Sequence, residues 1–558
     1  MKLLVSHPIF VAALATVLLL GVTARESRAQ SDVVSETIEV RVVNIDVVVT
    51  DRKGHRVSGL KQGDFELFEG KKQQEISNFS EVRIESDYSP RLPEALDAAP
   101  ASTPPPGRRF IIFVDNSSIH PFSRNRVIAS LRKFIDSELQ PQDQVMLATW
   151  NHGLQIRNRF SADRAALSSA LGEIAGMNGG AAALHSMRAD AERELQSIVE
   201  QVREKTMSAS DGYATALSVA RAYGARLAGD EKNMVSGLQA LMSTVAGRPE
   251  KKVLVFVGKS LPVNPGAELF QYIDEQFGSL LPPGTSSITT RMENNQSKLQ
   301  ESLVRSANAQ GLTLYMVYAD TGNSAGVESA SAPSALVEGL ELSNNFTSFQ
   351  RVAQMTGGLA FGNSNSFDSA FAEIAEDAGS YYSLGYHSDL AEGARGVRVT
   401  VRTPGLRVRS RDSFVTRSFD EQMADRVVAN LFSDVGDKQI MVKVSVGEPV
   451  PQSRGVVRIP IEVRIPADGF TLLPGPEGLA GGFAVYFAVA DEDGSISAVT
   501  KQGRRLRLPG TDPEVLKGKY YTFSTELLVK KKDSILSVAV VDLVSHETGY
   551  DRSHVTLN

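Results

Sequence analysis

Three apolar runs, Phe110-Ile-Ile-Phe-Val114, Lys252-Val-Leu-Val-Phe-Val257 and Leu312-Thr-Leu-Tyr-Met-Val-Tyr318, alternate with stretches of helical spacing, and they constrain the fold more than any other feature. A strand that is apolar on both faces has to be covered on both, as in a parallel sheet wrapped by crossover helices. Val127, Leu131, Phe134 and Ile135 carry a helical repeat, Gln144 to Trp150 reads as a strand, and Ser161 reads as the N-cap of a helix through Ile174. Further helices are expected around 289–309, from Asn345 to Met355 before Gly357-Gly358, and from Phe367 to Ala378. Tyr381 to Tyr386 and a hairpin of Val397–Val401 with Leu406–Arg409 about Pro404-Gly405 then close a segment spanning 108–416. The expected fold is a doubly wound, mainly parallel α/β domain.

Inside it, Leu184, Met187, Ala191, Leu195, Ile198 and Val202 recur at steps of three and four, and so do Met234, Leu238, Leu241 and Val245. This is the pattern of two antiparallel helices inserted at about 184–247, forming either a hairpin packed on the domain or a partner-binding arm. Residues 30–88 alternate as short strands, with a bulge expected near Asn44, and suggest a small immunoglobulin-like β domain that docks on its neighbour. Six prolines mark a linker at 89–107. After a second linker at 417–436, residues 437–558 lose helical spacing and read as a C-terminal β-sandwich.

Residues 1–29 have the features of an export signal: Lys2, an apolar run from Ile9 to Val22, and the small-x-small triplet Ser27-Arg28-Ala29. Fourteen apolar residues fall short of the roughly 20 that cross a bilayer as a helix, and no membrane span is expected in the mature chain. The expected location is periplasmic or extracellular. With no cysteine among 558 residues, disulfides, thiolate metal sites and cysteine nucleophiles are excluded. Fifty-nine basic against 65 acidic residues show no bulk basicity that would favour nucleic acid.

The residues that point to a site are Phe113-Val-Asp115-Asn-Ser117-Ser118, an acid and small hydroxyls just after the first parallel strand, where loops of such sheets converge on ligands. Together with Val47-Val-Val-Thr-Asp51, Leu60-Lys-Gln-Gly-Asp-Phe65, Lys252–Val257 and Ala375-Glu-Asp-Ala-Gly-Ser-Tyr-Tyr-Ser-Leu-Gly-Tyr386, they make residues 35–416 resemble the von Willebrand factor A fold. The resemblance is closer still to the VWFA-related secreted proteins of acidobacteria. In that fold an Asp-x-Ser-x-Ser loop, a Thr and a second Asp hold a divalent cation, typically Mg²⁺.

Here Asp115 and Ser117 match, Ile119 stands in the third position and Ser118 is one residue out of phase. The Thr position aligns with Ala181 in Gly179-Gly180-Ala181, and Lys259 takes the place of the second Asp. Replacing a carboxylate by an ammonium swings the local charge by two units, and like charges about 4 Å apart repel by roughly 4 kcal/mol at an effective dielectric of 20. The resemblance therefore implies a degenerate metal site at Asp115, Ser117, Ser118, Ala181 and Lys259, with Lys259 pairing to Asp115 in place of a cofactor.

The function expected is a secreted, non-enzymatic module that binds a protein or envelope component. One alternative keeps a working Mg²⁺ site on Asp115 and Ser117, with Thr206 or Thr215 as the nearest candidates for the Thr ligand and an acidic ligand that no motif marks; a second is an unfamiliar enzyme or enzyme subunit. Gly258-Lys259-Ser260 lacks the upstream glycine of a phosphate loop, since Val253 occupies that position, and Asp491-Glu-Asp493-Gly494 lacks the closing Glu of a calcium loop, having Gln502. His120 lies near Asp115 in sequence, but no Gly-x-Ser-x-Gly turn presents a nucleophile. Trp150 is expected to end a strand in the core.

Overall fold

In the computed structural model each apolar run forms a strand of one sheet. The structure describes residues 41–83, 107–245, 250–319, 332–362, 367–389, 393–432, 438–453, 455–475, 478–491, 496–509 and 512–556. The expected export signal, nearly all of the proline-rich linker and the Asp493-Gly494 turn lie outside them.

Four N-terminal strands come first: β1 (Arg41–Thr50), β2 (Phe65–Glu69), β3 (Lys72–Gln74) and β4 (Ile76–Arg83). The α/β domain follows with β5 (Arg109–Asp115), α1 (Pro121–Ser137), β6 (Gln144–Trp150), β7 (Leu154–Ser161), α2 (Arg164–Gly176), α3 (Ala181–Arg203) and α4 (Ala209–Ser243). It continues through β8 (Lys252–Gly258), α5 (Ala267–Phe277), α6 (Ile288–Arg291), α7 (Ser297–Gln310), β9 (Leu312–Tyr318), α8 (Ala332–Met355), β10 (Ala360–Phe361) and α9 (Asp368–Gly379).

The sheet runs β10-β9-β8-β5-β6-β7, parallel except for the antiparallel edge strand β7. Strand order reverses between β5 and β8, so the crevice beyond their carboxyl ends is the switch point where doubly wound sheets bind ligands. One face of the sheet packs on α1, α2 and α9 through residues such as Phe110, Ile112, Phe134 and Phe371. The other packs on α4, α7 and α8 through Phe113, Phe256, Leu238 and Phe349. The N-cap of α2 is Asp163, whose carboxylate accepts from the amides of Ala165 and Ala166, while Ser161 caps only the Asp163 amide.

The strands that follow are β11 (Ser380–Ser388), β12 (Gly393–Val401), β13 (Arg407–Ser410) and β14 (Ser413–Thr416). They pair with the N-terminal strands in two four-stranded sheets, β13-β1-β11-β4 and β14-β12-β2-β3. This differs from the sequence reading, which grouped them with the α/β domain. The α/β domain is thus inserted into a sandwich made from both sides of it, and the shared core of Ile45, Val47, Leu67, Leu384 and Val399 explains how 43 N-terminal residues find enough apolar cover. The expected hairpin about Pro404-Gly405 is instead a crossing between the two sheets. β1 runs in unbroken register with β11, without a bulge at Asn44.

Residues expected as a second linker contain α10 (Phe419–Phe432), whose Met423, Val427 and Leu431 pack on Tyr486, Ala488 and Val541. The C-terminal region has β15 (Lys443–Val446), β16 (Val450–Ser453), β17 (Val456–Pro466), β18 (Leu473–Gly475), β19 (Gly478–Asp491), β20 (Thr500–Leu508), β21 (Tyr520–Lys530), β22 (Ser534–Asp542) and β23 (Thr548–Val555). β17 pairs with β15, β16 and β21, while β18, β20, β19, β22 and β23 form the facing five-stranded sheet, both β18 and β20 pairing with β19. Val463, Phe483, Phe523 and Val538 fill the space between.

Candidate functional site

Loop geometry at the switch point is set by buried polar residues that clamp it. Asp115 ends β5 and is 3% exposed, and its Oδ1 accepts the Ser117 amide at 3.1 Å. Asn116 is fully buried: its Nδ2 donates to the Asn178 carbonyl at 2.8 Å, its Oδ1 accepts from the Arg124 guanidinium, and its carbonyl accepts the Gly180 amide at 3.1 Å. These bonds bring the Gly179-Gly180 turn against the Asp115 loop. A Cβ on Gly180 would sit 3.1 Å from Ser117, so this close approach favours glycine. The loop after β6 joins them: His152, in the left-handed region at φ 61°, donates its amide to the Ser117 hydroxyl at 3.2 Å. The loop after β8 is tied by the Lys259 amide, which donates to the Ser118 hydroxyl at 3.0 Å.

A cavity of about 140 Å³ opens among these loops. Asp115, Ser117, Ser118, Trp150 and His152 line it from the sheet end; α3 contributes Ala183, Leu184 and Met187, and α4 contributes Leu227, Glu231 and Met234. Burial pushes the Asp115 carboxyl up to about 6, against hydrogen bonds from Ser118 and Ser117 and the nearby His152, which favour its charged form. Burial alone raises the Glu231 carboxyl well above the ordinary range.

The structure brings Asp115, Ser117 and Ser118 together at this site. Gly180 lines the cavity wall where the sequence alignment placed Ala181, which opens α3. The Lys259 side chain departs from expectation. Its ammonium lies 3.9 Å from the Glu341 carboxylate of α8 rather than pairing with Asp115, so the tie between the β5 and β8 loops is the Ser118 hydroxyl. Glu341 also takes Arg188 of α3 at 2.6 Å, and Arg188 reaches Glu192 at 3.3 Å. Glu268 of α5 is buried in the same group. Its carboxyl is pushed up to about 8, first by burial and then by the Glu341 charge.

Thr206 and Thr215, the alternative ligands, belong to the far end of the helical arm. Their hydroxyls donate to the carbonyls of Gln201 and Asp211, about 30 Å along α3 from Gly180 at 1.5 Å per residue. His120 caps α1 by accepting the Phe122 amide.

The donor set fits a magnesium ion poorly. Ile119 is buried in the core, the Ser118 hydroxyl is engaged by the Lys259 amide, and Gly180 offers no side chain. Asp115 and Ser117 remain as the aligned oxygen donors, and among the described residues no three His, Asp or Glu side chains gather as a metal-binding group.

His152 and Glu231 are site residues that motif reading missed. Glu231 had a legible signal: it falls in the buried stripe of α4 between Tyr223 and Met234, a carboxylate at an apolar position. Nothing in local sequence marks His152.

No protein-family model matches the chain, and no curated protein matches it. Among solved structures it is similar to an aerotolerance-related membrane protein from Bacteroides fragilis, at 9% identity over 49% of this chain and 98% of that one, with a TM-score of 0.24. It is also similar to the manganese-loaded TRAP protein of Plasmodium vivax, at 10% identity over 55% and 94% of the two chains, TM-score 0.21. A third is the type V pili tip protein Mfa5 from Porphyromonas gingivalis, at 9% identity over 76% and 75%, TM-score 0.25. Scores this low carry no functional argument; the case for a site rests on the topology and the cavity.

Proposed function

We propose that this chain is an exported, non-catalytic recognition module of von Willebrand A-like design, which binds a protein or envelope component through the rim at the carboxyl ends of β5, β6 and β8. The observation that carries this reading is the cavity at the switch point of the sheet, walled by the helical arm and lined by two buried acids, Asp115 and Glu231. The arm supports it: α3 and the first half of α4 bury Leu195, Ile198, Ala216 and Tyr223 against Phe270 and Ile273 of α5, which makes a firm wall. No described helix is long and apolar enough to cross a membrane. Recognition in this reading is independent of a divalent cation.

The test is capture from an envelope extract by the immobilised chain, compared between wild type, the rim variants Phe122→Glu, at an exposed position in the first turn of α1 just past the β5 loop, and Ala183→Trp, at the cavity edge, and Tyr520→Glu on the C-terminal sandwich. Loss of one defined partner in the rim variants alone, unaffected by a chelator, is the expected result. Equal capture by all four proteins, or capture abolished by chelation, would overturn it.

A further inference from the structure

Glu231 makes this cavity chemically specific. Its side chain is 6% exposed, it lines the cavity from α4, and both carboxylate oxygens are buried without a hydrogen-bond partner among the described residues. A buried acid left in this state costs free energy that a ligand able to donate to it would recover. The walls around it are apolar: Trp150, Leu184, Met187, Leu227 and Met234. Asp115 lines the same space, while Arg226, Asp230 and His152 are exposed at its mouth.

Two further observations narrow the ligand. Beside the cavity, at the positions next to Met187 and Ser260 in sequence, Arg188 pairs with Glu192 and Glu341 and Lys259 reaches Glu341, while Glu268 is buried close to Arg188 and Glu341, so acids outnumber bases in this group. Secondly, about 140 Å³ is the size of an engineered cavity that holds benzene, and well under the several hundred Å³ of sites for drug-sized ligands. The tip of a single side chain fits; a nucleotide or oligosaccharide does not.

We infer that the cavity receives an alkylammonium of the lysine side-chain type, with Glu231 as its counter-charge and the Trp150 indole as a wall that attracts cations. The partner would thus offer a base to this rim, where a metal-dependent site of the resembled fold binds an acid. The inference rests on the reading of the rim as a recognition surface.

The test is calorimetric titration of the full chain with Nα-acetyl-lysine methylamide and with its uncharged norleucine counterpart. Saturable binding of the lysine compound alone is expected, weakened about tenfold in Glu231→Gln and abolished in Ala183→Trp, which obstructs the exposed edge. Should Glu231→Gln fail to fold, the lysine-to-norleucine ratio and the Ala183→Trp result decide. No saturable binding of the lysine compound, equal binding of norleucine, or wild-type binding by a folded Glu231→Gln would overturn the inference. If the cation fails to bind while partner capture still depends on the rim, only the ligand assignment falls; the reverse result removes the recognition reading instead.

Discussion

The two ends of the central sheet treat buried charge in opposite ways. At the amino end the buried acids among the described residues, Asp143 and Asp377, have each found a cation. Arg108 Nε contacts Asp143 at 3.1 Å, with its remaining donors on the Ala375 and Glu138 carbonyls. Asp377 takes Arg56, Arg409 and the Tyr315 hydroxyl, and Lys251 reaches Asp46 of β1 at 2.7 Å. The Asp377 and Lys251 pairs seat the flanking sandwich against the α/β domain, and the Arg108 pair ties strand β5 to β6 and α9. At the carboxyl end Asp115, Glu231 and Glu268 are buried with their carboxyls pushed upward, and cations are outnumbered. Paired charge at one end serves docking and stability, whereas unbalanced charge at the other is a cost that binding can recover.

Substitutions should separate the two ends. Asp143→Ala leaves the Arg108 guanidinium buried and unpaired, and should cost about 3–5 kcal/mol, read as a fall in the midpoint of chemical unfolding. Glu268→Gln should act in the other direction and depend on pH. Because folding raises the Glu268 carboxyl from 4.5 to about 8, its contribution to stability is present below pH 4.5 and lost as pH rises to 8. The variant should therefore match wild type at pH 4.5 and exceed it at pH 8 by on the order of 4 kcal/mol; thermal melts across that range check it, and parallel profiles would contradict it. Glu231→Leu, which replaces an unpartnered acid among apolar neighbours, should raise stability by about 1–3 kcal/mol. Lys259→Ala should cost no more than about 1 kcal/mol, since its contact with Glu341 is long at 3.9 Å and Glu341 keeps Arg188 at 2.6 Å. A larger loss would return Lys259 to the structural role that the sequence suggested.

The central strands and the helical insertion were legible because periodicity of burial is written locally: Phe110 to Val114 can only be covered on both faces, and Leu195, Ile198 and Val202 mark one helical stripe. The shared sandwich was not, because β1 and β11 meet across more than 300 residues and no local pattern names a partner. At the site, the positions of Asp115, Ser117 and the β8 loop followed from strand ends. The direction of the Lys259 side chain did not, since it is drawn by Glu341 on α8, which is remote in sequence. Glu231 and His152 matter through what surrounds them in space, and Trp150, expected at a strand end in the core, also forms a cavity wall.

Trp150 is the only tryptophan in the chain and lines the cavity, so its emission reports directly on occupancy. The most direct test of recognition without a metal is a fluorescence titration of the purified protein with Mg²⁺ and, separately, with Nα-acetyl-lysine methylamide. A saturable change with the ammonium compound, lost in Glu231→Gln, and none with Mg²⁺ is the predicted result. Saturation by Mg²⁺ at micromolar concentration, with no response to the ammonium compound, would contradict the account.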